Sequence, residues 1–273
     1  MKKPLFLLLL FGFSANLSAQ VALAPTAIFL DKNGLGTLYV SNNSGQPQEI
    51  SITFQFGYTD QNEIGNLVIR YDDTSKLETN GIVGIKAFPR TFILPPGQQQ
   101  LVRLQARFPK GKADGMYFTR LKVGSQAKVA DVGDQTSSDG ISTRVNVRFE
   151  QVIVCFYKYG AVKAGVEIMD VKTKLDSNLV TFTTMYRTTG NSPYLGRVKT
   201  VLKDASGKVI MEYVNTSSLY FSGKRNFVYE RPKNLTPGKY FFEQLYETVR
   251  SDIPMEDLVT APPYQFKKLI TID

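Results

Sequence analysis

The sequence predicts an all-β protein built from two antiparallel β-sandwiches. Short stretches in which apolar and polar residues alternate recur along the chain, and turn residues such as Gly, Pro, Asn and Asp separate them. Alternation with a period of two places one side of a strand in a core and the other side in solvent. No stretch has a convincing helical period. This combination is typical of β-sandwiches.

The beginning of the chain has the organisation of an export signal. Lys2 and Lys3 form a basic start, Leu5 to Phe13 is apolar, and Leu17-Ser18-Ala19 is a small-residue cleavage site. The apolar run is too short to span a bilayer. We therefore predict a signal peptide at residues 1–19, cleaved after its last alanine, and a product exported to the periplasm.

Residues 20–160 are expected to form the first sandwich. The segments that predict its strands are Val21 to Leu30, Leu35 to Asn42, Glu49 to Tyr58, Gln100 to Phe108, Met116 to Val123 and Gly140 to Tyr159. The polar stretch Asn62 to Gly84 predicts a loop that contains a short helix or a hairpin. A Tyr-Gly break after the last strand marks the predicted end of the domain.

Residues 161–273 show the same short alternating segments separated by turn residues, and they are expected to form the second sandwich. The segments that predict its strands are Gly165 to Leu175, Leu179 to Arg187, Tyr194 to Leu202, Val209 to Val214, Phe227 to Glu230, Gly238 to Val249 and Gln265 to Ile272.

The last strand of the first domain has an unusual pattern. Val145, Val147 and Phe149 alternate with polar residues, whereas Val152 to Tyr157 is continuously apolar. This change predicts a strand that passes from a half-exposed edge into a buried position. Two interpretations remain open at this point: an apolar edge offered to a partner, or an ordinary core strand.

The residue types present exclude several kinds of chemistry. The chain has no histidine, which removes Ser-His-Asp and Cys-His catalysis and histidine-ligated metal sites. Cys155 is the only cysteine, lies in an apolar run, and is predicted to be a buried, inert thiol. The acidic residues Glu63, Asp72 and Asp73 lie in a polar stretch typical of solvated surface. We predict no catalytic residue, no metal site and no cofactor.

The charge of the chain indicates which kinds of partner to expect. The formal net charge is +9, but the basic residues are spread along the sequence. The basic excess favours solubility and an acidic partner, but without a basic block nucleic acid is not an expected partner.

Several segments resemble the PapD-like family of periplasmic pilus-assembly chaperones. The segment FPRTFILPPGQQQLVRL (Phe88 to Leu104) is similar to a signature of that family, and Leu23 to Pro47 is similar to its first two strands. Met116-Tyr117-Phe118 resembles its sixth strand, and the alternating strand that ends in Phe156-Tyr157-Lys158 resembles its seventh. The resemblance covers nearly all of the first domain. Over the second domain it is limited to the architecture of an immunoglobulin-like sandwich.

This resemblance implies a mechanism and a set of partners. In that family the seventh strand is donated to a pilus subunit whose own fold lacks a strand, so Ile141 to Tyr157 becomes the candidate donor edge. Val145, Val147 and Phe149 fall on the positions that fill the groove of the subunit. The implied partners are a pilus or surface subunit and an outer-membrane usher or secretion complex. Self-pairing through the exposed edge is a further possibility.

The resemblance also identifies candidate anchor residues. The family binds the C-terminal carboxylate of the subunit with an arginine on the first strand and a lysine on the seventh, but the matching positions here hold Thr26 and Val154. Arg148 and Lys158 are the candidates for a substitute carboxylate anchor. For Arg148 the sequence favours a solvated charge on a strand, and Lys158 fits an interdomain ion pair with Asp114 at least as well.

Three functional hypotheses follow from the sequence. The leading one is a chaperone-like protein that donates a strand to a client. The second is a non-catalytic accessory subunit of an envelope or secretion assembly, which the non-cationic residues Thr26 and Val154 favour. The third is a surface adhesin, for which no aromatic ligand cluster was found.

Overall fold

The computed structural model describes residues 21–62, 64–108, 111–128 and 147–272, and it confirms the all-β, two-sandwich fold. The predicted signal peptide lies outside these residues. None of the helices described is long and apolar enough to cross a membrane.

The first sandwich consists of a four-stranded sheet, a five-stranded sheet and a hairpin. Its strands are β1 (Val21–Ala24), β2 (Ala27–Leu30), β3 (Leu35–Asn42), β4 (Gln48–Gln55), β5 (Tyr58–Gln61), β6 (Leu67–Arg70), β7 (Lys86–Phe88), β8 (Thr91–Leu94), β9 (Gln99–Gln105), β10 (Gly115–Ala127) and β11 (Arg148–Tyr159). The two sheets have the orders β1-β3-β9-β7 and β2-β11-β10-β4-β8. The hairpin is formed by β5 and β6.

The prediction of one strand from Val21 to Leu30 is wrong. The segment divides into β1, which pairs with β3, and β2, which pairs in parallel with β11 in the other sheet. Pro25 lies at the division. Because proline has no N–H to donate to a sheet ladder, the strand is interrupted there and the chain crosses between sheets.

The polar stretch from Asn62 to Gly84 contains both kinds of element that the sequence left open. It begins within the β5–β6 hairpin and continues into a 3₁₀ turn at Thr74–Lys76 and a single α-helical turn at Leu77–Asn80.

The second sandwich consists of a three-stranded and a four-stranded sheet. Its strands are β12 (Val166–Leu175), β13 (Leu179–Thr188), β14 (Tyr194–Lys203), β15 (Val209–Leu219), β16 (Gly223–Glu230), β17 (Gly238–Glu247) and β18 (Tyr264–Ile272), with a 3₁₀ turn at Met255–Asp257. The sheet orders are β12-β13-β16 and β15-β14-β17-β18. All seven strands were predicted, although β15 and β16 are longer than the sequence indicated.

Each sandwich has its own apolar core, and a third cluster joins them. The first core uses residues between Val21 and Tyr157, and the second uses residues between Val166 and Ile272. The interface cluster consists of Tyr58, Met116, Phe118, Phe156, Leu195, Tyr220, Ile253 and Leu258. The rings of Phe118 and Tyr220 meet edge-on at a centroid distance of 4.7 Å. Such aromatic contacts between the sandwiches stabilise their relative position.

Two tight turns, one between β2 and β3 and one between β14 and β15, are held by aspartate side chains. Asp31 Oδ1 accepts hydrogen bonds from the backbone N–H groups of Leu35 (2.8 Å) and Asn33 (2.9 Å). Asp204 Oδ1 accepts bonds from Ser206 Oγ (2.6 Å) and from backbone N–H groups of the same turn. These bonds favour the charged carboxylate, so the pKa of each aspartate lies below its ordinary value of 3.8.

These turns predict a contribution to acid sensitivity. Because the folded-state pKa of Asp31 is depressed, its stabilising effect is present above the ordinary pKa and is lost as the pH falls through the folded value. The substitution Asp31→Asn keeps an acceptor oxygen but removes this titration. Melting temperatures measured from about pH 5 to about pH 2 should therefore fall less steeply for Asp31→Asn, and less steeply again with Asp204→Asn added. Parallel profiles for all three proteins would contradict this prediction.

Candidate functional site

The first half of β11 has an unpaired edge. This strand pairs with β10 along its whole length, from Arg148 to Tyr159, but it pairs with β2 only from Val154 to Tyr157. On that side, Arg148 to Ile153 has no strand partner among the residues that the structure describes. Within this segment, Gln151 Nε2 donates a hydrogen bond to the carbonyl of Val21 (2.8 Å), which holds the glutamine side chain against β1. The backbone N–H and C=O groups along this edge remain open to another strand.

The two faces of β11 serve different parts of the protein. Ile153, Cys155 and Tyr157 pack in the first core. Val154 and Phe156, which alternate with them, pack in the interface cluster. Because successive side chains of a strand point to opposite faces, the register of β11 is fixed by burial on both sides.

The predicted groove-filling residues lie on the core-facing side of β11, before the core begins. Val147 and Phe149 share the face of Ile153 by the period of two. Their exposed fractions are 54% and 47%, so about half of the surface of each residue is not covered by the first sandwich. Val145 lies outside the described residues. The interpretation of this segment as a fully covered core strand does not fit these exposures.

Arg148 lies across the sheet and points away from the unpaired edge. Its Nη2 donates to Ser51 Oγ on β4 at 2.9 Å, and the side chain crosses β10 at Gly124 to reach it. A Cβ atom at Gly124 would come within 2.6 Å of that nitrogen. The missing side chain of Gly124 therefore makes room for the guanidinium.

Lys158 is bonded to the second sandwich and does not pair with Asp114. Its Nζ donates to the carbonyls of Glu256 (3.2 Å) and Leu258 (3.5 Å). Burial lowers the pKa of Lys158, and the charge of Asp257 opposes this shift. The carboxylate of Asp114 instead accepts a hydrogen bond from the backbone N–H of Ala161 (3.0 Å). The prediction of an ion pair between Lys158 and Asp114 is therefore wrong. Lys158 Nζ bonds backbone carbonyls of a distant turn instead of the Asp114 carboxylate.

Thr26 and Val154, which occupy the two positions that match the family's anchors, have uncharged side chains. Thr26 is exposed in the bend between β1 and β2, and Val154 is half-buried against the interface cluster. Neither side chain can form an ion pair with a carboxylate.

Arg120 is a functional candidate that the sequence reasoning missed. It is 6% exposed, on the same face of β10 as Met116 and Phe118. Its Nε donates to the carbonyl of Gly57 (3.1 Å), and its Nη2 donates to Thr59 Oγ1 (3.0 Å) and Tyr220 Oη (3.1 Å). The salt bridges among the described residues include none to Arg120. The sequence did contain a signal for it, because Arg120 is the one cationic residue in the segment Met116 to Leu121.

A further polar contact joins the sandwiches through the β5–β6 hairpin. Gln61 Nε2 donates to the carbonyl of Asn226 (2.9 Å), and Gln61 Oε1 accepts from the N–H of the same residue (2.6 Å). The side chain of Gln61 thus bonds β16 as a neighbouring strand would. Together with Arg120 and Lys158, it gives the interface directional bonds in addition to apolar contact.

Comparison with known proteins identifies the fold. No protein-family model matches the chain, and no curated protein matches it significantly. Among solved structures, the YadV chaperone aligns with a TM-score of 0.51 and 10% identity, over 92% of this chain and 100% of that chain. The chain has the PapD-like chaperone fold.

Two further solved chaperone structures align with lower TM-scores. The E. coli chaperone DraB aligns with a TM-score of 0.46 and 14% identity, over 91% of this chain and 95% of that chain. The SafB chaperone of Salmonella enterica, solved in complex with the SafA pilin, aligns with a TM-score of 0.44 and 13% identity, over 90% and 95% of the two chains. The fold assignment depends on the YadV comparison.

The bond between Arg120 and Tyr220 leads to a prediction about stability. Burial raises the pKa of the Tyr220 hydroxyl, although the charge of Arg120 opposes this shift. Tyr220→Phe keeps the ring and removes one hydrogen bond to a buried cation. It should lower the free energy of unfolding by about 1.5–3 kcal/mol, measured by urea denaturation.

Tyr213→Phe is the matched control for that substitution. Tyr213 is more exposed, and no hydrogen bond of its hydroxyl is recorded among the described residues. Its removal should change the free energy of unfolding by less than about 0.5 kcal/mol. Equal effects of the two substitutions would show that the Arg120 bond contributes nothing particular to stability.

Proposed function

We propose that this protein is a periplasmic, chaperone-like protein that binds pilus or surface-structure subunits by donating the edge of β11. The observation that carries the proposal is the unpaired edge from Arg148 to Ile153, next to the exposed apolar side chains of Val147 and Phe149. An exposed strand edge with alternate apolar side chains is suited to pairing with an extended segment of another protein.

The energetics of this mode of binding are favourable. Backbone hydrogen bonds to the partner strand would satisfy the open groups of the edge. Complete burial of Val147 and Phe149 in a groove of the partner contributes on the order of 1.5–3 kcal/mol each. Val145 belongs to the same set by its spacing and extends the proposed contact toward the beginning of the donor segment at Ile141.

The fold and the beginning of the chain support this role. The YadV protein, whose PapD-like fold this chain shares, is by name a chaperone. The proposed signal peptide at residues 1–19 directs the product to the periplasm, where pilus subunits and an outer-membrane usher or secretion complex are accessible. The proposal requires no catalysis. Among the described residues, no group of three or more His, Cys, Asp or Glu side chains could hold a metal ion.

The proposed carboxylate contacts differ in their availability. Lys158 already donates to two carbonyls of the second sandwich, so only one of its three N–H donors is left for a client carboxylate. Arg148 precedes Val154 by six positions, which corresponds to about 20 Å along a strand. It would therefore meet an acidic group of the client on the sheet, far from the cleft between the sandwiches.

A second candidate function is an accessory subunit of an envelope or secretion assembly. The uncharged residues Thr26 and Val154 favour it, because a protein that never releases its partner has no need of a carboxylate anchor in the cleft. In that case the edge of β11 would be covered permanently, either by a neighbouring subunit or by self-pairing.

The proposal predicts the effect of a charge in the donor edge. Val147→Arg places a cation where an apolar side chain must enter the partner. Because about 1.4 kcal/mol corresponds to a factor of ten in affinity, retention of the partner on the mature protein should fall by at least about tenfold. The amount of partner that co-purifies from the native periplasm, quantified by mass spectrometry, measures this change.

Val214→Arg is the matched control for this experiment. Val214 is 57% exposed and lies on β15, an edge strand of the second sandwich. It should leave partner retention unchanged, and both variants should melt at the temperature of the wild type. If Val147→Arg unfolds the protein, or if it retains the partner as the control does, the β11 edge is not the binding site. A partner present at fixed stoichiometry in a large membrane complex would favour the accessory subunit.

A further inference from the structure

A second groove opens on the other side of the first sandwich, away from the edge of β11. It has a volume of about 650 Å³ and lies between the end of β4 and the segment that leads into β7. Phe54, Phe56, Ile82, Ile85 and Phe88 supply most of its apolar lining. Phe54, Ile82 and Ile85 also pack in the first core, so the groove is a lateral opening of that core.

A short unpaired strand edge borders this groove. β8 pairs with β4 only from Gln48 to Ser51. Two more bonds follow: the N–H of Ile52 donates to the carbonyl of Arg90 at 2.9 Å, and Arg90 Nε donates to the carbonyl of Ile52 at 3.4 Å. Beyond them, nothing in the described part of the chain pairs with β4 on this side from Thr53 to Gln55. The edge therefore has a gap there, where Phe54 presents an open N–H and C=O next to an apolar surface.

The charges at the groove have one sign. Lys86 and Arg90 line it, and no carboxylate does among the residues that the structure describes. By contrast, the groove beside Arg148 contains Glu49, and the groove between the sandwiches contains Asp60. The ion pairs among the described residues include neither Lys86 nor Arg90. An occupant with an acidic group would therefore meet two cations and no repelling charge.

From these observations we propose that the groove binds an extended apolar segment of a partner protein that carries a carboxylate. The segment adds a short strand to the gap from Thr53 to Gln55, inserts apolar side chains beside Phe54 and Phe88, and directs its acidic group to Lys86 and Arg90. A small apolar acid would fill the groove but leave the backbone groups of β4 unpaired. A peptide backbone satisfies them, which decides in favour of a peptide.

This site is separate from the donor edge. The strand order of this sheet is β2-β11-β10-β4-β8. The unpaired part of β11 lies on the β2 side and the gap on β4 lies on the β8 side, so the two are at opposite edges of the sheet. A partner in the groove and a client on β11 can therefore be bound at the same time. The inference does not depend on the proposed function, since it uses none of the residues of the β11 edge.

A direct test uses a synthetic probe and the mature protein. The probe is a fluorescein-labelled hexapeptide, Thr-Val-Thr-Phe-Thr-Val, with either a free C-terminal carboxylate or a C-terminal amide, and binding is measured by fluorescence anisotropy. The carboxylate form should bind about two- to fivefold more tightly than the amide, as expected of an exposed charge pair. Lys86→Glu combined with Arg90→Glu should abolish or reverse this preference.

Further variants locate the probe. Phe88→Arg should weaken binding of both peptides by about tenfold, because Phe88 is exposed and its loss removes apolar contact without opening the core. Phe241→Arg, at an exposed site of the second sandwich, should bind as the wild type does, and Val147→Arg, immediately before β11, distinguishes the groove from the β11 edge. A probe methylated at its backbone nitrogens should bind poorly, because it cannot pair with β4.

The opposite outcomes would overturn the inference. No saturable binding, or equal binding of acid and amide, removes the proposed ligand chemistry. Loss of binding in Val147→Arg together with full binding in Phe88→Arg assigns the peptide to the β11 edge. Displacement by decanoate, together with full binding of the methylated probe, makes the ligand a small apolar acid and not a peptide.

Discussion

The structure depends on the alternation of side chains along a single strand, β11. Cys155 and its alternate neighbours fill the first core, whereas Phe156 and Val154 fill the interface between the sandwiches. A shift of one residue would exchange these two sets, placing interface residues in the core. The buried half of the strand thus fixes the orientation of the exposed half. Phe149 can project apolar surface from a defined position only because Cys155 is held six residues later.

The interface adds directional constraints to this arrangement. Burial of a cation is costly unless its hydrogen bonds are satisfied, and Arg120 meets this condition with acceptors from both sandwiches. Gln61 and Lys158 add bonds to backbone groups of the second sandwich. Because such bonds are geometrically selective, they favour one relative position of the two sandwiches. A client held on the edge of β11 would therefore meet a preformed surface, with little ordering of the protein on binding.

Much of the fold and part of the candidate site could be predicted from the sequence. The period of two identified the strands of the second sandwich and the common face of Val147 and Phe149, because alternation shows which residues of a strand share a face. Whether a core or a partner covers that face was left open by the sequence. Cys155 is fully buried, as its apolar neighbours indicated, and burial raises the pKa of its thiol. These features depend on local pattern, so the sequence was sufficient for them.

Features that depend on contacts between distant segments could not be predicted. Pro25 predicts an interruption, but which sheet the chain joins afterwards is decided by the parallel pairing with β11. The partners of Lys158 are backbone carbonyls about one hundred residues away. Every residue has such a carbonyl, so the sequence does not show which ones will bind the lysine. The gap on β4 has the same origin, since it exists only because β8 ends its pairing at Ser51. In each case the contact depends on where a backbone group lies. Because every residue has the same backbone groups, the side chains in the sequence do not reveal it.

Hydrogen–deuterium exchange of the protein alone and with its co-purified partner is the most direct test of the central claim, that β11 binds by its unpaired edge. In the free protein, amides on the edge from Arg148 to Ile153 should exchange faster than those from Val154 to Tyr157, which are paired on both sides. If the partner binds this edge, it should slow exchange in the first segment and leave the second unchanged. Protection elsewhere, with residues 148–153 exchanging as fast as in the free protein, would contradict it.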